Sequence, residues 1–236
     1  MSLVPGGARA AARELERTLE SQKEFIDNAC HELLTPLTII RGHLELRPAD
    51  PAEREAAIEV VTDEVIRMTR LVDELRVLAL TRRPDFLDSE LLDVGAVVRV
   101  VFDKVRALAQ RDWRLECRDG GRLVGDRQRL EQALINLAHN AVQYTGPDDR
   151  IAIGAAVDER GARLWVADSG PGVPEDEHDR IFERFAYGAG GRRHPNSTGL
   201  GLAIVAAIAR AHGGHVELDS TPGEGATFAV VVPAVL

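Results

Sequence analysis

Lysine is almost absent from this chain. Only Lys23 and Lys104 are lysine, and the other 27 of its 29 basic residues are arginine. A site that calls for a lysine must therefore find a substitute. Positive charge is also outnumbered, 29 Lys and Arg against 38 Asp and Glu, for a formal net charge of −9. An acidic chain is a poor partner for nucleic acid, because phosphate affinity needs a basic face. Cysteine is scarce too. Cys30 and Cys117 stand far apart in no paired motif, which argues against a disulfide scaffold or a structural zinc site and fits a reducing compartment. No stretch approaches the ~18 apolar residues of a membrane span. Met1 to Gly7 has neither a charged n-region nor an apolar h-region and does not read as a signal peptide. What remains is an ordinary folded composition, 44% hydrophobic and 28% charged over 236 residues. That is about two domains' worth of chain and excludes wholesale disorder or low complexity.

The first third reads as helix. Leu15, Leu19, Gln22, Ile26, Ala29, Leu33 and Ile40 fall at alternating steps of four and three, with Pro36 in one expected core slot. This is a heptad seam, narrower than the stripe of a globular helix. Two prolines in Arg47-Pro48-Ala49-Asp50-Pro51 stop the helix and force a short turn. A second seam follows at Ile58, Val61, Val65, Met68, Val72, Leu75 and Ala79, ending before Arg82-Arg83-Pro84. Two long helices joined by a short turn lie antiparallel. One hairpin cannot bury both seams and Ile66, Leu71 and Leu78 as well. The pattern therefore predicts a homodimer closing a four-helix bundle. A hairpin packed on the rest of its own chain is the alternative.

From Phe86 the pattern changes. A helix is expected over Val94 to Ala109 and strands over Arg114 to Cys117 and Leu123-Val124. Asp126 is a good N-cap for a helix from Arg127 to about Tyr144. Ile151 to Val157 and Arg163 to Ala167 read as strands around a Glu159-Arg160-Gly161 turn. Val173 to Thr198, rich in Gly, Pro and charge, reads as a long loop with one short helix around Ile181 to Phe185. A helix over Leu200 to His212 precedes strands at Gly214 to Leu218 and Thr227 to Val232. The order predicts an α+β chain: a helical hairpin, then an α/β sandwich of mostly antiparallel strands.

In the heptad frame His31 falls opposite the bundle core, with Thr35 and Thr38 on its face and Glu32 adjacent. An exposed neutral imidazole is a competent nucleophile near pH 7, and a neighbouring carboxylate can stabilise the charge that develops on it. Pro36 removes the hydrogen bond to the Glu32 carbonyl and loosens the backbone there. A lone surface histidine is ordinarily just solvated, so the surrounding run matters. Phe25-Ile26-Asp27-Asn28-Ala29-Cys30-His31-Glu32-Leu33-Leu34-Thr35-Pro36-Leu37-Thr38 resembles the H-box of two-component sensor histidine kinases. The resemblance implies that His31 is the phosphoacceptor. It implies that Glu32 is the base or orienting carboxylate and that Thr35 positions water when a partner is dephosphorylated. Leu34 stands where the family usually has Arg or Lys.

Three further segments carry a nucleotide signal in order. Asn136 and Asn140 sit four apart on one helix face, and Asn oxygens suit Mg²⁺ while the amide can reach phosphate. Taken singly, two such Asn residues also fit solvated or capping positions. Asp168-Ser169-Gly170-Pro171-Gly172 follows a strand, and Thr198-Gly199-Leu200-Gly201-Leu202 opens a helix whose N–H groups suit phosphate. Each glycine pattern alone is the mark of a tight turn. Together, Asn136 to Ala141, Asp168 to Gly172, Ile181 to Phe185, Thr198 to Leu202 and the glycines near 213 and 223 resemble the N, G1, F, G2 and closing boxes of the histidine kinase catalytic domain. With the H-box, the resemblance covers nearly all of residues 21–235.

The resemblance implies a sandwich of the histidine kinase ATPase (Bergerat) type and a protein-histidine kinase using ATP and Mg²⁺. Asn140 is the implied Mg²⁺ ligand and Asn136 a supporting contact to metal or phosphate. Asp168 is implied in adenine recognition, with Tyr144 as a ring against the base. Gly170, Gly172, Gly199, Leu200 and Gly201 form the implied nucleotide cradle, and residues 173–198 the ATP lid. Where the family often has Lys, this chain has Gln143. Ala186 and Tyr187 stand where an aromatic and an Arg are usual, and His139 replaces a small or polar residue. Phosphate charge then falls to Mg²⁺, the helix N-terminus and Arg184, Arg192 or Arg193. His212 and His215 flank a helix C-cap turn better than a metal, and His43 reads as exposed.

The expected division is 1–20 leader and incoming signalling helix, 21–83 dimerisation and phosphotransfer hairpin, and 84–236 catalytic domain. The expected partners are a second copy and a response-regulator receiver domain, with no nucleic acid and membrane attachment only through upstream segments. The expected place is the cytoplasmic portion of a bacterial inner-membrane sensor. A dimeric nucleotide-binding scaffold or a phosphatase-biased protein is one alternative. An ATP-driven clamp is another, but it leaves His31-Glu32 and the hairpin unexplained.

Overall fold

The computed structural model describes residues 6–46, 50–81, 83, 85–117, 121–186 and 197–234. By packing, the chain divides into two units, Met1–Asp73 and Glu74–Leu236.

The first unit holds α1, Gly6–Leu46, and most of α2, Pro51–Leu80. Asp50 precedes α2 and accepts the Ala52 N–H at 2.8 Å, a side-chain cap that starts the helix where the turn ends. Within the hairpin, Glu32 of α1 lies 3.8 Å from Arg67 of α2. The two residues are nearly equidistant from the turn, as antiparallel packing requires. Pro36 is buried within α1, and Leu71 is buried on α2. Much of the two seams is not covered by this one chain: Leu15, Leu19, Ile26, Ile58, Val65 and Val72 are all exposed, as is Ile66.

The second unit is a two-layer sandwich. A five-stranded sheet has the order β2-β4-β5-β7-β6, from β2 (Asp112–Cys117), β4 (Arg150–Asp158), β5 (Gly161–Asp168), β6 (His215–Thr221) and β7 (Gly225–Pro233). Only β2 and β4 run parallel. Three helices pack on this sheet: α3 (Val94–Val105), α4 (Arg127–Tyr144) and α5 (Gly201–Ala211). The inward positions Ala162, Leu164 and Val166 of β5 are buried with Ile204, Val205 and Ile208 of α5 and Leu134 and Leu137 of α4. The other sheet face is wetter, carrying Arg163 paired with Glu217 at 2.9 Å. A separate ribbon joins β1 (Glu90–Asp93) to β3 (Arg122–Gly125).

Three local readings need correction, and one strand was not expected. The ribbon strand β1 has no counterpart in the sequence pattern, since only Leu92 of its four residues is buried. The helix expected to reach Ala109 ends at Val105, with Arg106 as its C-cap. The short helix expected around Ile181 to Phe185 is instead two 3₁₀ turns, Glu175–Glu177 and Arg180–Phe182. Proline at 174 and the polar content between Glu175 and Arg180 leave too few apolar contacts for a longer helix. His43, expected to be exposed, is half-buried.

Candidate functional site

In the first unit, His31 lies exposed on α1, as its heptad phase predicts. Thr35 is exposed beside it and donates its hydroxyl to the His31 carbonyl at 3.1 Å. Thr38 does the same to Leu34 at 2.8 Å. These back-bonds supply donors to the stretch of helix that Pro36 weakens. Glu32 is only 5% exposed. It shares the Arg67 guanidinium with Glu64, each carboxylate 3.8 Å away. Arg67 is a residue that the sequence reading missed. A partner 35 positions away on another helix leaves no local signal.

The nucleotide motifs converge in the second unit. α4 starts where Asp126 accepts the Arg129 N–H at 3.0 Å with its side chain. The helix carries Asn136 and Asn140 half-buried, one turn apart. The buried Nδ2 of Asn136 has no hydrogen-bond partner among the described residues. A buried amide donor without an acceptor costs about 1–3 kcal/mol, so the position is poised for an acceptor from a ligand. A Cβ built on Gly201, the first residue of α5, would have Asn136 Cβ at 4.0 Å as its nearest neighbour. That places the start of α5 within van der Waals reach of the Asn-bearing face of α4.

The Asp168 loop closes on the other end of α4. Gly170 donates its N–H to Asp168 Oδ1 at 2.9 Å, and a side chain at Gly170 would come within 2.9 Å of the Tyr144 carbonyl. Gly172 adopts a φ of +71°, and a Cβ there would strike the Thr221 carbonyl at 2.3 Å, so only glycine fits. Burial pushes the Asp168 carboxyl above its usual range, against the lowering pull of the Gly170 and Ala226 N–H groups, and the nearby Asp149 charge pushes it further. Asp149 goes the other way, held down by the Gly146 N–H at 2.7 Å and the Ser169 hydroxyl at 2.9 Å. Tyr144 is 42% exposed, and its phenol is pushed up by partial burial and by the Glu177 carboxylate.

The remaining motifs join the same place. Phe185, at a φ of +59°, donates its N–H to the Gly199 carbonyl at 2.8 Å. Phe182 meets Phe228 edge to face with ring centroids 6.2 Å apart. Arg184 is half-buried. Leu200 is fully buried and precedes α5, whose first turn has no side-chain cap. Tyr187, Arg192, Arg193 and much of the expected lid lie outside the described residues. His212 is no metal ligand. Its Nδ1 donates to the Ile208 carbonyl at 2.8 Å and its Nε2 accepts the Asp126 N–H at 3.0 Å. His215 is exposed, 3.6 Å from Glu217. No metal-binding cluster of His, Cys, Asp or Glu occurs among the described residues. An Asn-based site needs none.

A helical hairpin presenting an exposed histidine, joined to a sandwich in which asparagines, an aspartate and glycine turns converge, defines a phosphoacceptor module with an ATP-binding module. Residues 21–82 match the family model of the His Kinase A (phospho-acceptor) domain. Residues 125–236 match that of the histidine kinase-, DNA gyrase B- and HSP90-like ATPase. The chain belongs to the sensor histidine kinase family. It is 37% identical over 232 residues to the probable sensor histidine kinase TcrY of Mycobacterium tuberculosis, covering 96% of this chain and 48% of that one. It is 36% identical over 220 residues to the phosphate regulon sensor protein PhoR of Pseudomonas aeruginosa, covering 89% and 49%. The chain thus spans about half the length of the curated relatives it matches. Among solved structures, the histidine kinase AdeS of Acinetobacter baumannii is similar with a TM-score of 0.69 and 28% identity, covering 87% of this chain and 98% of that one. The histidine kinase ThkA, solved with the response regulator protein TrrA, is similar with a TM-score of 0.74 and 25% identity, covering 100% and 68%. No helix among the described residues is long and apolar enough to cross a membrane.

Proposed function

We propose that this chain is an autophosphorylating protein-histidine kinase module that passes a phosphoryl group from His31 to an aspartate of a response-regulator receiver domain. The observation that carries this reading is that one chain holds an exposed His31, next to a buried and anchored Glu32, and a helix whose buried Asn136 amide has no partner among the described residues. His31 is the nucleophile. Its imidazole nitrogen attacks the γ-phosphorus of ATP in line, the bond to the β,γ-bridging oxygen breaks, and ADP leaves. Glu32, held by Arg67, supplies a fixed negative charge that favours the imidazolium-like charge developing on His31. Thr35 positions water when the same helix face acts on a phosphorylated receiver.

In the second unit, Asp168 accepts the exocyclic amine of adenine and Tyr144 lies against the base. Gly170, Gly172, Gly199, Leu200 and Gly201 let the backbone approach the nucleotide. Asn140 would hold Mg²⁺ through its side-chain oxygen, and the Asn136 amide would donate to a phosphate oxygen. Bound there, Mg²⁺ neutralises phosphate charge. The N-terminus of α5 and Arg184 add the positive field that a lysine at position 143 would have given. On this reading the module works as a homodimer on the cytoplasmic side of a bacterial sensor, where ATP and receiver domains are found. Gln143, half-buried and uncharged, supports a second reading: a phosphatase-biased signalling protein with weak kinase activity.

Incubation with γ-labelled ATP tests the proposal. Label that is acid-labile and base-stable, and lost in His31→Gln, is expected. Label that survives acid, or that His31→Gln keeps, overturns it. Tight ATP binding without labelling favours the second reading.

A further inference from the structure

The second unit begins inside α2, at Glu74. The last turns of that helix therefore pack within the nucleotide-binding unit, where Val77 and Leu78 are buried. Glu74 itself is buried, at 9% exposure, unusual for a carboxylate on a helix surface. The Thr198 hydroxyl, 6% exposed, donates to Glu74 Oε2 at 2.5 Å. The Thr198 hydroxyl oxygen in turn accepts the Leu200 N–H at 3.3 Å. One hydroxyl thus ties a charged group on α2 to the backbone of the glycine turn that opens α5. The charge fixes which way the hydroxyl proton points, leaving the lone pairs for Leu200. This matters because Gly199 sits at a φ of +69° and the turn has no side chain of its own capping α5. Its shape is set from outside, by Phe185 on the Gly199 carbonyl and by Thr198.

We infer that Glu74 is a positioning residue for the phosphates of ATP: through Thr198 it holds the 198–200 turn so that the first N–H groups of α5 face the nucleotide. The inference rests on the kinase reading. Glu74 does not touch the nucleotide. It acts on the turn, and it is carried by α2, the helix that also bears Arg67, the partner of Glu32. A displacement of the last turns of α2 would release the turn and weaken the hold on phosphate without disturbing the adenine end at Asp168.

The test uses the full chain and compares equilibrium binding of ATP·Mg²⁺ with that of adenosine, together with KM and rate for His31 labelling. Thr198→Val and Glu74→Ala are expected to weaken ATP about tenfold and adenosine less than twofold, a buried hydrogen bond to a charged group being lost. Glu74→Gln, which keeps an acceptor, should lose about threefold, and Thr198→Ser should restore near-normal binding. The double variant Thr198→Val with Glu74→Ala should be no worse than the weaker single, because the two residues act as one unit. Equal weakening of ATP and adenosine overturns the inference in favour of a merely structural contact. Unchanged ATP affinity or additive losses also overturn it. Failure of the wild type to label His31 while it binds ATP sinks the kinase reading alone, since the ATP-to-adenosine comparison still decides the role of Glu74. A wild type that binds no ATP overturns both.

Discussion

In the proposed contact with adenine, Asp168 combines two demands that pull apart. Recognition of an exocyclic amine needs the ionised carboxylate, yet burial raises the carboxyl above the 3.8 of a free aspartate, with Asp149 adding to the rise. On acidification, ATP affinity is therefore expected to fall at a pH above the ordinary aspartate range. The effect on the empty fold has the opposite sense. With its folded-state value raised, this group's contribution to stability is full below the unfolded value and is lost as pH rises through the folded one. Asp168→Asn should thus weaken ATP at neutral pH by about tenfold, flatten the acid limb, and leave the unliganded fold no less stable. Titration calorimetry across pH 4 to 8 checks this. An acid limb that persists in Asp168→Asn assigns it to another group. At this scale the sequence was most informative where a motif is local. His31 is exposed because its heptad phase dictates a face, and Gly172 is glycine because its turn demands it. Arg67 and Glu74 were illegible for the opposite reason. Each acts on a residue far along the chain, Thr198 being 124 positions from Glu74.

Elements were legible in proportion to how much of their stability is local. α4 begins and ends where its N-cap and apolar spacing place it, because Asp126 announces its start. β4 and β5 announce their hairpin by alternation around a glycine at a φ of +145°. β1 is held by register with β3, which no four-residue pattern encodes. Asp126 also shows how one cap serves several elements. Its Oδ1 accepts the Arg129 N–H at 3.0 Å and its Oδ2 the Asp88 N–H at 2.9 Å. Its own N–H goes to His212 at the end of α5. The Asp126 carboxylate thus pins the segment before β1 to the Asn-bearing helix, and the backbone N–H of the same residue holds the end of α5. Asp126→Ala removes a helix cap, for about 1 kcal/mol, and unpairs the Asp88 N–H for a further cost of about 1 kcal/mol. The expected loss is about 2 kcal/mol in urea unfolding of the intact chain, with Asp126→Asn losing less. A change below about 0.5 kcal/mol in Asp126→Ala would falsify this account of the cap.

For the whole molecule, the informative fact is what a single chain leaves uncovered. Ile26 is 58% exposed, Ile58 61% and Val65 49%, all at seam positions that the heptad phase assigns to a core. Isolated exposed apolar residues mean little, but a periodic row along both helices of a hairpin calls for a cover. The cover that matches its spacing is a second hairpin carrying the same seam, which would make the interface self-complementary and the bundle a closed dimer. This separates the effects of seam substitutions. Lysine at Ile26 and at Val65 costs little in a lone chain, where both positions face water, but places two charges per subunit inside a four-helix interface. Ile26→Lys with Val65→Lys is therefore expected to convert a dimer to a monomer in sedimentation velocity at tens of micromolar. ATP affinity should stay within twofold of wild type, because the second unit keeps its own core. Two results would sink the dimer: a wild type that sediments as a monomer at this concentration, or a double variant that remains a dimer. Loss of ATP binding in parallel with dissociation would instead show that the nucleotide unit depends on the bundle, against the separate cores by which the chain divides at Glu74.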